Sequence, residues 1–320
     1  MKITVLGCGR WGTFLAAYHS KKNEVLLWGR AESARFQALC EHRKNEYLTL
    51  PEALRLESDL EQALAFAQVV IISIGAQQLR ALAARIQRQD VAGKTFILCM
   101  KGIEESTGQR LTQVFRSVVT QPVHLAVWVG PGHVEDFEAD IPNCMVVDSD
   151  EPQTVDFIVN GLSSELIRLY KGNDLIGTEV GSAAKNVIGI AAGMLDGMGY
   201  SCLKGALMAR GAREIARLIK AMGGSELSAY GLCHLGDYEA TLFSRHSHNR
   251  MFGEQFALGQ PYDKLAEGAY TVKALVRLGE QYQVDLPICK MVACILYEGY
   301  PIREALPLLF SRTVKGEFDS

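Results

Sequence analysis

Between Cys233 and Arg250 the chain reads CHLGDYEATLFSRHSHNR, which sets His234, His246 and His248 around one carboxylate, Asp237. Imidazoles and a carboxylate this close in sequence suit a metal site, the decoration of a surface loop, or the wall of a substrate site. The other chemically unusual residue is Lys185. It stands in Gly181–Met194, GSAAKNVIGIAAGM, which is apolar on nearly every helical face, so the helix that carries it is expected to be buried. Burial strips water from an ammonium group and lowers its pKa. A lysine brought toward neutrality can pass a proton to or from a hydroxyl or carbonyl oxygen. Asn186 beside it adds a neutral donor and acceptor. The plainer reading of Lys185 is a helix-rim residue whose stem packs while its head reaches water.

A third group of residues has the geometry of a phosphate cradle. Gly7, Gly9 and Gly12 form GxGxxG directly after an apolar run, Lys2–Leu6, and at the start of a helical stretch. The first glycine permits a tight turn, the second lets a pyrophosphate approach backbone, and the third allows close helix–strand packing. The helix start then offers free N–H groups to the anion. Sites selective for NAD usually carry an acid at the end of the next strand. Here that strand ends Leu27-Trp28-Gly29-Arg30. Arg30 could meet a 2′-phosphate, so NADPH is expected to be accepted alongside NADH.

Two further strand ends carry candidates. Thr95–Met100 runs into Lys101-Gly102-Ile103-Glu104, and His124–Val129 runs into Gly130-Pro131-Gly132-His133. In open parallel sheets ligands bind beyond the carboxyl ends of strands. Lys101 could therefore reach a substrate oxygen or the nicotinamide region, and Gly130-Pro131 could let the nicotinamide ring approach backbone. Arg210, Arg213 and Arg217 fall on one helix face, where a solvated or acid-paired stripe is the usual outcome.

The elements that must hold these residues change character along the chain. In the first half, Lys2–Leu6, Glu24–Trp28, Val69–Ile74, Thr95–Cys99 and His124–Val129 read as near-continuous apolar strands between helical segments such as Thr13–Ser20 and Gln77–Gln87. This pattern implies a parallel sheet covered on both faces, and Cys144–Val147 and Leu166–Leu169 would extend it. Beyond Ile176 the β-branched runs stop, and Gly181–Leu195, Gly205–Met222, Lys264–Tyr282 and Ile288–Glu298 read as helices. The expected fold is α/β: a Rossmann-type parallel-sheet domain over residues 1–175 that binds the dinucleotide, followed by an all-α substrate and catalytic domain over 176–320. With 48% apolar and 22% charged residues and a formal charge of −3, the chain has no evident pull toward nucleic acid or anionic membrane. No apolar run approaches the length of a membrane span, and no secretory signal is visible. Eight scattered cysteines without a CxxC pair fit a reducing cytoplasm.

Taken together, these motifs resemble the bacterial type of NAD(P)-dependent glycerol-3-phosphate dehydrogenase along almost the whole chain. The matching pieces are GCGRWGTFLA at the start, Lys101-Gly102-Ile103-Glu104, Val129-Gly130-Pro131 and Gly181–Ile188. Leu235-Gly236-Asp237, Asn249-Arg250, Phe252-Gly253, Ala266-Glu267-Gly268 and Leu296–Gly299 complete them in order. The resemblance implies reversible reduction of dihydroxyacetone phosphate to sn-glycerol 3-phosphate, feeding glycerophospholipid synthesis, in a homodimer. It implies Lys185 as the general acid/base, with Lys101 and Asp237 positioning substrate and lysine. NAD or NADP would then rest on Gly7, Gly9, Arg10, Trp11, Gly12, Arg30, Lys101, Gly130, Val134, Leu265 and Glu267. Substrate would meet Lys101, Gly130, Gly132, Lys185, Asn186, Asp237, Ser247, His248, Asn249 and Arg250. No metal is implied.

Three departures stand out. The family reads Gly-Pro-Ser-Phe-Ala where this chain has Gly130-Pro131-Gly132-His133-Val134, and Val-Pro-Ser where it has Ile74-Gly75-Ala76. It reads Ser-Arg-Asn-Arg where this chain has Ser247-His248-Asn249-Arg250. The family's first arginine there grips the substrate phosphate with a permanent charge and a bidentate fork, neither of which a histidine supplies. Arg245, Arg250 or His133 could compensate. Otherwise the chain is a sister dehydrogenase for a different 2-keto or 2-hydroxy compound, such as a phosphonate or a carboxylate. A cofactor-binding sensor without catalysis is a reading from another class, against which Lys185, Asn186 and Asp237 all argue.

Overall fold

The apolar runs of the first half become strands because they are buried on both faces. The computed structural model describes residues 1–314, 316 and 317. It divides into two compact units, the first built from residues 1–100 and 111–173 and the second from 101–110 and 174–320.

In the first unit the chain alternates β1 (Lys2–Leu6), α1 (Arg10–Ser20), β2 (Glu24–Trp28), α2 (Ala34–His42), β3 (Arg55–Glu57), α3 (Leu60–Phe66), β4 (Val69–Ile72) and α4 (Leu79–Ile86). It continues with β5 (Thr95–Leu98), α5 (Leu111–Val118), β6 (His124–Val129), α6 (Val134–Glu138), β7 (Asn143–Asp148), α7 (Pro152–Leu162) and β8 (Ile167–Lys171). The eight strands form one sheet in the order β3-β2-β1-β4-β5-β6-β7-β8. Ile3, Val5, Ile71, Ile97 and Trp128 are buried under Phe14, Leu15 and Phe137 on one face.

The sheet departs from an all-parallel one at a single joint. β7 runs antiparallel to β6, pairing Val129 with Val146, while β8 returns parallel to β7. The connection from β6 to β7, residues 130–142, holds only the five-residue α6. β3 is three residues long at the sheet edge, and the strand expected over Val69–Ile74 stops at Ile72.

The second unit is helical: α8 (Leu175–Gly197), α9 (Lys204–Ala221), α10 (His248–Ala257), α11 (Glu267–Gln281), α12 (Pro287–Tyr297) and α13 (Ile302–Phe310). Its spine is α8, buried along nearly its whole length and capped by Asp174, whose carboxylate accepts from the Gly177 amide. Gly193 lets α10 approach so closely that a Cβ there would lie 1.9 Å from the Arg250 carbonyl oxygen, and a Cβ at Gly253 would lie 2.1 Å from that of Ile190. Glycines on both helices thus bring the two backbones together and seat the start of α10 beside the middle of α8.

Candidate active site

In the first unit, the glycine turn after β1 is shaped as a cradle. Gly7 has φ +120°, and a Cβ there would meet the Ser73 carbonyl oxygen at 2.1 Å. A Cβ on Gly12 would meet the Gly7 carbonyl oxygen at 2.1 Å, which fixes α1 against β1. Gly9 differs: nothing lies within 4 Å of where its side chain would be. It caps α1 without any side-chain hydrogen bond. An uncapped helix start beside a glycine with room over it fits a dinucleotide pyrophosphate.

The residues around this cradle are fixed by contacts of their own. Arg10 pairs with Glu135, and its guanidinium lies 5.2 Å from the Tyr47 ring centre. Trp11 packs against Phe14 and Phe137 at 5.4 and 5.9 Å between ring centres. Arg30 follows β2 with its side chain 54% exposed, its Nε 3.7 Å from Glu32, and no acid stands at the strand end itself. Gly130 and Gly132 have φ +134° and +139°, and a Cβ on Gly132 would strike the Phe137 ring at 2.6 Å. The serine usual at this position is therefore excluded here by both backbone and ring. Val134 is buried at the start of α6.

The catalytic candidates gather in the second unit. Lys185 on α8 is 7% exposed. Its Nζ lies 2.6 Å from Thr241 Oγ1 and 3.1 Å from Asp237 Oδ2. Asp237, 1% exposed, also takes the ammonium of Lys101 on the same oxygen at 2.6 Å. Burial pulls the Lys185 pKa from 10.5 to about 8; the Asp237 charge opposes that shift and the Lys101 charge adds to it. Two lysines against one carboxylate leave the cluster net positive. An ammonium has three hydrogens, and two of those on Lys185 are directed at Thr241 and Asp237. The third can meet an incoming oxygen.

A chain of amides holds this cluster in register. Asn186 Nδ2 donates to the Lys101 carbonyl oxygen at 3.1 Å. Asn249 Nδ2 donates to Asn186 Oδ1 at 3.0 Å, and Asn249 Oδ1 accepts from the Gly268 amide at 2.9 Å. The starts of α10 and α11, each a positive dipole end, are thereby fastened to the helix that carries Lys185. Ser247 caps α10 by accepting from the Arg250 amide. Leu265 is exposed just before α11, and Glu267 is the first residue of that helix.

Thr241 is a site residue that sequence reasoning passed over. It lies in a π-helical turn, Glu239–Phe243, and donates to the Asp237 carbonyl oxygen at 2.7 Å while accepting from Lys185. The visible signal was its spacing of four from Asp237, which puts both on one helical face.

The three histidines have separate surroundings. His234 is wholly buried; its Nδ1 donates to the Gly181 carbonyl oxygen at 2.8 Å and its Nε2 accepts from the Tyr238 hydroxyl at 2.7 Å. Burial holds its pKa down at about 4, so the ring is neutral. It ties the Asp237 turn to α8. His248 Nδ1 lies 2.6 Å from the Tyr262 hydroxyl. The His246 amide bonds the Ser244 hydroxyl. Arg250 is engaged in the fold: its guanidinium contacts Asp196 and Glu254, both at 2.9 Å, and the Ser244 carbonyl oxygen. Lys204 binds the same Asp196 oxygen at 2.6 Å. In the stripe on α9, Arg213 pairs with Glu226 and Arg217 donates to the Asp285 carbonyl oxygen.

Comparison with known proteins agrees across both units. A family model described as the NAD-dependent glycerol-3-phosphate dehydrogenase N-terminus matches residues 2–155, and the corresponding C-terminus model matches 174–307. The chain is 35% identical to glycerol-3-phosphate dehydrogenase [NAD(P)+] of Chlorobium phaeobacteroides (strain BS1), over 99% of each chain. It is 33% identical to the protein of that name from Thiobacillus denitrificans, over 99% of this chain and all of the other. Among solved structures, it is similar to glycerol-3-phosphate dehydrogenase from Coxiella burnetii, with a TM-score of 0.90 and 28% identity over 97% of this chain and 99% of that one.

Proposed function

The chain belongs to the NAD-dependent glycerol-3-phosphate dehydrogenase family, and on that premise we propose that it interconverts dihydroxyacetone phosphate and sn-glycerol 3-phosphate with NAD(P)H or NAD(P)+. The first unit's glycine turn holds the dinucleotide, with Gly7, Gly9 and Gly12 shaping the turn, Arg10 and Trp11 flanking it, and Arg30 on the adenosine ribose. When bound, the nicotinamide supplies or accepts a hydride. Gly130, Val134, Leu265 and Glu267 complete its contacts in this reading.

The rest of the chemistry belongs to the chain. In reduction, the Lys185 ammonium gives a proton to the ketone oxygen as that oxygen gains negative charge, and the neutral amine is reprotonated from water. In oxidation, the amine takes the proton of the substrate hydroxyl. A pKa of about 8 suits both directions near neutral pH. Asp237 stabilises the protonated state and, with Thr241, fixes where the third hydrogen points. Lys101 brings a second positive charge to the substrate's oxygens, and Asn186 and Asn249 keep it in register. The net positive cluster and the dipole ends of α10 and α11 favour the phosphate dianion, beside Ser247 and His248. Arg250, held by Asp196 and Glu254, is read as a fastener of this wall and not as the grip on phosphate. The domain roles, residues 1–175 for cofactor and 176–320 for substrate and catalysis, are part of the proposal.

The observation that carries this reading is the buried Lys185 with Thr241 and Asp237 on its nitrogen. The test is oxidation of NADPH or NADH by purified protein on addition of dihydroxyacetone phosphate. Absence of turnover by a protein that binds cofactor would refute it. The sister-dehydrogenase reading rests on His248 and Gly132, and the full-length relatives do not favour it. It requires that His248→Arg change the ranking of substrates.

We also read the protein as a cytoplasmic homodimer that supplies glycerophospholipid synthesis. Among the described residues no helix is long and apolar enough to cross a membrane, and none of the eight cysteines is in a disulfide. Cell fractionation and light scattering test these two statements.

A further inference from the structure

The ten residues 101–110 leave the sheet after β5 and belong to the second unit. They close on themselves as a strap: Ile103 bridges Arg110, the Glu104 amide bonds the Gln109 carbonyl oxygen at 3.0 Å, and Thr107 caps the Glu104 carboxylate. Ile103 is 0% exposed within the helical core, among Val180, Ala183 and Leu275. At the rim, Lys273 meets Glu105 at 2.8 Å and Arg277 meets the Ser106 carbonyl oxygen. These rim contacts are solvent-exposed and contribute little by themselves. The interior ion pair is different. Arg110 binds Glu179 with side chains 12% and 4% exposed, and Glu179 lies on α8, six residues before Lys185.

We propose that Arg110 and Glu179 are positioning residues, whose ion pair references the strap to the helix of Lys185 and so sets where Lys101 stands over Asp237. Asn186 fixes the strap's first residue through the Lys101 carbonyl oxygen, Ile103 fixes its middle, and Arg110 fixes its last. All three anchors lie on or against α8, which also carries the acid/base lysine. The arrangement makes Lys101 and Lys185 parts of one rigid frame. A long lysine side chain would otherwise lose much of its precision to rotamer freedom. The pair reaches no substrate atom; it acts through Lys101.

The test uses Glu179→Gln and Arg110→Lys, with the charge swap Arg110→Glu/Glu179→Arg as rescue. The expected result is a fall in kcat of tenfold or more with the KM for NADPH changed less than twofold, restored at least in part by the swap. Lys101 lowers the Lys185 pKa, and Asp237 and Lys101 are the charged groups facing that amine, with neutral His234 behind the Asp237 turn. A displaced Lys101 should therefore raise the Lys185 pKa. That rise is read as an alkaline shift of the pH–rate profile and, without any turnover, in the pH dependence of reductive methylation of Lys185. The inference rests on the proposed dehydrogenase activity only for its kinetic arm. A wild type inactive on dihydroxyacetone phosphate refutes that activity, while the methylation arm still judges the strap. Lower thermal stability with an unmoved Lys185 pKa and unchanged kcat would overturn the proposal, leaving the pair merely structural. Arg110→Lys keeps the charge and is the variant to read if Glu179→Gln fails to fold.

Discussion

Lys185 Nζ and Asp237 Oδ2 lie 3.1 Å apart, and the carboxylate oxygen that faces Lys185 also holds Lys101 at 2.6 Å. One buried acid thus balances two bases, and its removal acts on both. Asp237 raises the Lys185 pKa against the effect of burial. In Asp237→Asn the Lys185 pKa should therefore fall below about 8. The pH–rate limb that reports it should move to lower pH, with kcat reduced on the order of 100-fold, within the usual range for disabling acid–base chemistry. Lys185→Ala should lose roughly 100- to 10,000-fold. A limb that moves upward in Asp237→Asn would contradict the assignment.

Thr241 aims the same lysine. Thr241→Val keeps the shape and removes the oxygen that accepts from Lys185 at 2.6 Å. The expected effect is a loss of about 10-fold in kcat, equivalent to one hydrogen bond of roughly 1.4 kcal/mol, with the KM for cofactor unchanged. Thr241→Ser should restore most of it. Equal activity of the valine and threonine enzymes would remove Thr241 from the site.

How much of this could be read from residues alone follows the physics of each feature. The glycine turn was legible because steric demands at Gly7 and Gly12 admit no other residue. Lys185 was legible because a helix apolar on every side leaves a charge nowhere to solvate. The edge strand β3 was not, since Arg55–Glu57 has neither length nor alternation. Nor was the antiparallel β7, because strand direction leaves no mark on composition. The strap escaped for a deeper reason: residues 101–110 join the helical unit through Ile103 and Arg110, contacts with partners far along the chain. Thr241 was hidden by ordinariness, one threonine among many until the π-helical turn aims it.

Arg250 offers a direct test of fastener against phosphate grip. Its side chain is 12% exposed and shares the Asp196 carboxylate with Lys204. Arg250→Ala removes one partner of a buried ion network, which should cost on the order of 3 kcal/mol of stability, read in urea unfolding. The KM for dihydroxyacetone phosphate should change only a few-fold. A KM raised 100-fold at full stability would return Arg250 to the substrate.

Arg30 should decide between cofactors. It follows β2 where an NAD-selective site would have an acid, and its ionic neighbour Glu32 is 3.7 Å away and exposed. In Arg30→Ala the KM for NADPH should rise roughly 10- to 100-fold, the worth of a charge-assisted contact to a 2′-phosphate, while the KM for NADH stays put. Equal changes for both cofactors would refute the assignment.

His19 should make the first unit acid-sensitive. It is 5% exposed at the end of α1, edge-on to Trp128 at 5.8 Å, and its Nε2 has no hydrogen-bond partner. Burial lowers its pKa from 6.5 to about 4. Between those values the unfolded chain binds the proton and the folded chain does not, so stability is full above pH 6.5 and declines as pH falls toward 4. At pH 5 the share of one such histidine is about 2 kcal/mol. His19→Leu replaces an unpartnered ring with an apolar group and removes that share. The variant should match the wild type within about 1 kcal/mol at pH 7 and gain about 2 kcal/mol on it at pH 5, measured by urea unfolding. A difference between the two proteins that does not change with pH would show that His19 carries its proton in the folded state.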